Sequence, residues 1–550
     1  MIFTILDAVR SDYMDTNLPV YEQLNKAWKA TCKVLFGEEI GELKEYEEWL
    51  LHDYGEKPRT EKSAVSGKET TLICDDYCKD AKFISYDEID FYKRFEPLNI
   101  NEIKDIDSII EALQERFYYT GNTILGNSRY VEGSTNIVDS TYMYNSKMFE
   151  KSEYIAYSAY GRRSKFMFGV WAGTDCSHTI KGFIGTKSQR CFEYYMIRFS
   201  SDIFYSANVE GCNDCLFCFN LAGKRRCIGN LELLPDNYIN LKKKILSEIA
   251  DELKKKKSVI SLLDIVGNLP KEPLIMAVKR QEGGLEQFNI APIQNAFKST
   301  FRVLLKKDPG NLNDYESYLS SKTPRFVILK PGTTASNEEI LWMEEYKPID
   351  RIKHRGIAWK EAAALSQNPP TIKIDDAQKL SLNNTSILAK VAFVPFDYVS
   401  GKNSNVDKSE ICMNSIDCYN GASFVESKSS AFCWWPRESS YMFGSTNIFS
   451  SSFCIGAHNS TGLTRAFEVD SCTNCSDIYF SHNCDNVHDS MFCFNVKNLR
   501  NAIGNAQFPP DKYRSVKDSI IEQMADGLIK KKDLKWNIYN IGCKGGSYKL

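Results

Sequence analysis

The residues of this 550-residue chain best suited to chemistry are its 18 cysteines and six histidines. Cys212, Cys215 and Cys218 sit three apart, and Cys472, Cys475, His482, Cys484 and His488 form the densest Cys/His cluster. Tetrahedral zinc takes paired thiolates or imidazoles at such short spacings, so these eight residues are the candidate ligands for zinc or iron. Cys74 and Cys78 make one further pair, with no second pair nearby in sequence. Phase argues against a metal. Cys176, Cys191, Cys212, Cys215, Cys218 and Cys227, with Cys412, Cys418, Cys433, Cys454, Cys472, Cys475, Cys484 and Cys493, all fall on two positions of a six-residue period. Cysteine is small, apolar and often buried, so these 14 read as core positions interchangeable with serine. Ladder positions on a wound sheet are also expected to lie too far apart to share one ion. No metal, cofactor or catalytic residue is therefore expected.

The period itself is regular. Serines run from Ser128 to Ser164 every six residues, and the phase continues through Cys176, Ser188, Ser200, Ser206, Cys212 and Cys218. Three residues after each lies a second, mostly apolar ladder that includes Val131, Ile137, Met143, Phe149 and Ile155. Neither a helix nor a single strand sustains a period of six, whereas short strands joined by regular corners do. The fold class expected is a hexad-repeat β-solenoid of about 18 residues per coil, of open handedness, with α/β N-terminal regions and C-terminal capping helices.

The pattern occurs twice. Phe217-Cys218-Phe219-Asn220 recurs as Phe492-Cys493-Phe494-Asn495, and Ile228-Gly229-Asn230 as Ile503-Gly504-Asn505, both at a shift of 275, half the chain length. The expected organisation is an N-terminal α/β region over 1–124, a first solenoid over 125–230, a capping helix over 231–266 and a linker over 267–275. The second half repeats it, with an α/β region over 276–402, a solenoid over 403–505 and a capping helix and tail over 506–550. Glu38 to Leu51 reads as an acidic helix, and Arg325 to Gly332 as a strand and turn. A tandem fusion of this kind suggests halves that pack against one another with pseudo-twofold symmetry instead of swinging on the linker.

Serine and cysteine hexads ending in Cys-Phe-Asn-Leu and then Lys-Arg-Arg-Cys-Ile-Gly-Asn resemble a group of cysteine-rich hexad-repeat β-solenoid proteins of small-genome bacteria and archaea. The resemblance covers about 125–257 and 403–532. The zinc-ribbon-like cysteine pairs with which such proteins often begin are not intact here. The group has no assigned activity, so the resemblance implies architecture only.

Function is constrained mainly by exclusion. No Gly-rich phosphate loop or nucleophile elbow occurs. A hexapeptide-type acyltransferase would need a catalytic histidine, for which His178 and His458 are the candidates. None of the six histidines has a histidine counterpart across the 275 shift, which counts against a duplicated active site. Sixty-nine basic and 71 acidic residues disfavour a nucleic-acid wrapper, and the lysine runs 254–257 and 530–532 complement helix C-termini. No apolar run is long enough to span a bilayer and no signal peptide is evident, so the chain reads as soluble and cytoplasmic. Aromatic content of 12%, with tyrosines over 130–160 and Trp434-Trp435, suggests lateral faces for protein partners, a larger assembly or self-association. The expected function is a non-enzymatic scaffold or assembly subunit. The alternative is a metal- or redox-responsive cysteine-rich protein.

Overall fold

The computed structural model describes residues 20–98, 105–271, 288–322, 329–336, 339–343 and 347–544. Glu272 to Ile275 of the expected linker and Arg325 to Ile328 of the expected strand lie outside these; Leu329–Thr333 is a strand. The molecule is a mixed α/β protein built on two large, mostly parallel sheets, of 15 strands in the first half and 14 in the second.

Through the body of both sheets, parallel partners lie two hexads apart. In the first, Cys191 pairs with Ile203, Ile203 with Cys215 and Cys215 with Cys227; in the second, Ala466 pairs with Ile478. Successive partners are thus 12 residues apart (Cys191 to Ile203 to Cys215) and not the roughly 18 expected. The reason lies in the backbone. From Tyr130 to Gly229, and again from Asn414 to Gly504, every third residue has positive φ. One pairing step therefore contains four left-handed residues, and one residue in three turns to the buried side. All members of the two interior clusters fall on that one residue in three. Both hexad ladders therefore point inward, which accounts for their spacing of three. Left-handed backbone costs about 1–2 kcal/mol for a residue other than glycine, yet tyrosine, phenylalanine and lysine stand at many of these left-handed corners.

Hydrogen bonding explains the preference for serine and cysteine. Ser152 N donates to Ser140 Oγ at 3.0 Å, Ser164 N to Ser152 Oγ at 3.1 Å and Cys176 N to Ser164 Oγ at 3.1 Å. Each hydroxyl in turn donates to the carbonyl two residues back, as Ser152 does to Glu150 O at 2.9 Å. Thiols repeat the pattern: Cys176 Sγ donates to Thr174 O at 3.4 Å, and Lys224 N donates to Cys212 Sγ at 3.3 Å. An inward side chain that both accepts and donates satisfies corner groups that would otherwise be buried unpaired.

Each sheet ends on the Ile-Gly-Asn motif. Asn230 receives Phe219 N–H at 2.8 Å and donates to Phe219 O at 2.9 Å, and Asn505 clamps Phe494 in the same way at 3.0 and 2.7 Å. The side-chain amide takes the place of a next parallel partner, and only a two-residue antiparallel strand follows, Leu231–Glu232 or Ala506–Gln507. Helices Pro235–Lys256 and Pro510–Lys531 come next, with the apolar faces expected. They do not cover the sheet ends alone, because each end is met by the other half. Ile372 N donates to Gly229 O at 3.1 Å, while Arg116 Nη1 donates to Gly504 O at 3.0 Å. The exchange is reciprocal: Asn220 donates to Phe393 O at 2.8 Å, and Asn495 to Tyr118 O at 2.7 Å, the two bonds related residue for residue by 275. Helices Val20–Phe36 and Ala291–Leu305 each pack on the sheet of their own half. Between the sheets Tyr160 meets Trp435, its own equivalent across the shift, at a ring separation of 5.3 Å.

The aromatic residues read as outward faces are largely used within the chain. Tyr130, Tyr142, Tyr154 and Phe166 stack at corner positions with centroids 4.8–5.0 Å apart, packed against the first-half core, and Trp434 is buried between the halves. The first lysine run stays at the surface and is partly paired: Lys254 meets Glu38 at 2.9 Å and Lys257 meets Glu45 at 3.0 Å. Among the described residues no helix is long and apolar enough to cross a membrane.

Candidate functional site

All 14 ladder cysteines are buried in the two interiors. The two-hexad step makes each interior narrow, so the thiols do converge, contrary to the expectation from ladder spacing: Cys215 lies within hydrogen-bonding reach of Cys212, Cys218 and Cys227. Their hydrogens nevertheless go to the backbone, Cys212 to Leu221 O and Cys218 to Cys227 O, both at 3.6 Å. In the second half Cys472, Cys475 and Cys484 behave likewise, and burial pushes the Cys484 thiol up to about 11 and that of Cys493 up to about 12. His482 and His488 leave this cluster, because their phase points them outward. His488 bonds Ser476 Oγ at 2.8 Å and Asn486 Oδ1 at 2.9 Å. Among the described residues no group of three or more Cys, His, Asp and Glu side chains is arranged to hold a metal. Cys78, read with Cys74 as a possible pair, forms a disulfide instead with Cys543, 465 residues away.

A buried group of ionisable side chains lies on the outer side of the second sheet. His458, Asp470, His482 and Phe494 stack in register on successive strands. The first half has Phe183, Tyr195, Ala207 and Phe219 in these places, so the fold does not require the charged set. His482 and Asp470 are fully buried, with Nδ1 2.8 Å from Oδ2. Thr120 N–H, from the first half, donates to His482 Nε2 at 2.8 Å. An amide can only donate, so Nε2 is the acceptor and Nδ1 carries the proton. Burial works against the Asp470 carboxylate, but the contact with His482 and the hydrogen bond from Asn459 hold its pKa below the usual range. Asn459 donates to the same carboxylate at 2.8 Å. His482 Nδ1 is close to Asp470 but outside hydrogen-bond alignment, and the lone pair on Nε2 that a general base would use is already occupied.

His458 differs. It is 1% exposed, its ring lies 5.1 Å from Tyr539, and neither ring nitrogen has a hydrogen-bond partner among the described residues. Burial lowers its pKa to about 4, so it is neutral near pH 7. His178, the other histidine considered for acyl transfer, stacks on Phe166 at 4.6 Å and is also lowered to about 4 by burial.

Beside this column lies Glu468, fully buried, which receives Ile538 N–H at 3.1 Å and pairs with Lys322 at 3.0 Å. Its equivalent Glu193 is fully buried too and receives Leu262 N–H at 3.0 Å. Burial raises the Glu193 carboxyl and lowers buried Lys181, its neighbour. The acid is common to both halves, while the lysine comes from the adjacent strand in the first and from the segment after a short helix in the second. Each glutamate pins the chain where it turns back after its terminal helix. Neither was singled out from sequence, although the 275 shift aligns them. No family model, curated protein or solved structure matches the chain.

Proposed function

We propose that the protein is a non-enzymatic scaffold in which two β-solenoids, each wound at two hexads per coil, are locked into one rigid body and presented to protein partners. The observation that carries this reading is the reciprocal exchange: each half's N-terminal region closes the other half's sheet through bonds that repeat at the 275 shift. Such an arrangement fixes the mutual orientation of two surfaces, which is what a scaffold needs. The state of the buried groups points the same way, since the inward thiols bond to backbone and His482 has its acceptor nitrogen filled. The test is gentle extraction of the native protein followed by size-exclusion chromatography with mass measurement. A discrete complex of fixed stoichiometry, larger than the 62.8 kDa chain, is expected. A lone monomer would contradict the reading.

The Cys78–Cys543 disulfide favours a second reading, a redox-responsive protein, because it ties the first half to the second-half tail beside Tyr539 and His458. Its test is a change in partner binding on reduction with a dithiol.

A further inference from the structure

One surface feature of the first sheet is lined by residues that the second half replaces, and it goes beyond the scaffold reading. A shallow groove of about 370 Å³ runs across successive strands between a corner ladder and the neighbouring flank. The flank carries Gln189, Ser201 and Asn213 in register, stepping at the strand spacing of about 4.8 Å, so the polar row is about 10 Å long. The corner ladder ends in Phe199, 55% exposed. Lys187 Nζ stands 5.5 Å from the centroid of this ring. One step further the corner is Gly211, where an added Cβ would meet only Gly223 N at 3.9 Å, and the next is Gly223, where it would meet nothing. The corner beyond the ring is therefore bare. The second half has Asn474 in the place of Phe199, Gly462 in that of Lys187 and His488 in that of Asn213. Neither the corner nor the flank needs these side chains for folding.

We infer that this groove is a binding site for a short neutral oligosaccharide. An exposed aromatic face suits the apolar C–H face of a pyranose ring, and a row of amide and hydroxyl groups suits its vicinal hydroxyls, each of which both donates and accepts. The nearby carboxylate of Asp175 is held by Arg163 at 2.7 and 2.8 Å, so beside the Lys187 ammonium, which sits at the Phe199 ring, the row along the flank is neutral. Ser201 Oγ donates to Asn213 Oδ1, and the Asn213 amide N–H groups and Gln189 face the groove. The row is long enough for about two or three sugar units lying across the strands.

Saturation-transfer NMR and calorimetry with cellotriose and maltotriose on the full chain test the assignment. Saturation of at least one trisaccharide is expected, with affinity falling at least tenfold in Phe199→Asn, the residue the second half carries, and in Gln189→Ala. Both positions are on the surface, so melting temperatures should stay at the parental value and confirm that the variants fold. Absence of transfer to either sugar, binding unchanged in Phe199→Asn, or binding of a serine-rich extended peptide in place of the sugars would overturn it.

Discussion

Replacing His458 by phenylalanine, the residue its first-half equivalent Phe183 supplies, should stabilise the protein, and more so in acid. The magnitude follows from burial. An imidazole in the unfolded chain takes up a proton near pH 6.5, whereas His458 in the fold does so only at about 4. Between those values the unfolded state holds the extra proton, so stability is fully present above pH 6.5 and is lost as pH falls towards 4. The whole loss is about 3 kcal/mol, of which about 2 kcal/mol has accrued at pH 5. Near pH 7 the variant gains a smaller amount, about 1 kcal/mol, because two unpartnered buried nitrogens disappear. Phe183 stacks on Tyr195 at 4.8 Å in the first half, which shows that the position accepts the ring. Urea unfolding of parent and variant at pH 7 and pH 5 reads both numbers. A stability difference that is the same at the two pH values would refute the argument. His178→Phe, which installs the residue of its second-half equivalent Phe453, should reproduce the pH dependence, since His178 is also lowered to about 4.

Other expectations follow from the same contacts. Lys322→Met should cost about 3–5 kcal/mol by stranding Glu468 in the core, and the double variant with Glu468→Gln, which is neutral and still accepts Ile538 N–H, should recover most of it in denaturant melts. Cys212, Cys215, Cys218 and Cys493 should react slowly with a thiol reagent in the native protein and promptly in denaturant; fast native labelling would show that the interior is open. Reduction of Cys78–Cys543 should lower stability by about 2–4 kcal/mol, measured as a melting shift that Cys78→Ser reproduces.

What could be read from sequence was what repeats locally. The 275 shift, the phase of the 14 ladder cysteines and the apolar faces of helices Pro235–Lys256 and Pro510–Lys531 are all visible in single stretches of chain, and the structure has them in those places. The two-hexad step was hidden because left-handed corners normally announce themselves by glycine or asparagine. In the first half Tyr142, Met148, Phe166 and Ile184 hold such corners, and tertiary stacking overrides local preference. The exchange of caps was beyond reach for a different reason: Asn220–Phe393 and Tyr118–Asn495 join residues 173 and 377 positions apart, and nothing in one sequence links such partners. The Asp470–His482 pair shows the same limit, since the hydrogen bond to His482 comes from Thr120.

The most direct test of the account is to express residues 1–270 and 271–550 separately and then mix them. Because each fragment holds the segment that closes the other's sheet, neither should be a stable folded monomer alone, and mixing should give a one-to-one complex whose melting approaches that of the intact chain. Two fragments that each fold cooperatively and elute as independent monomers after mixing would contradict it.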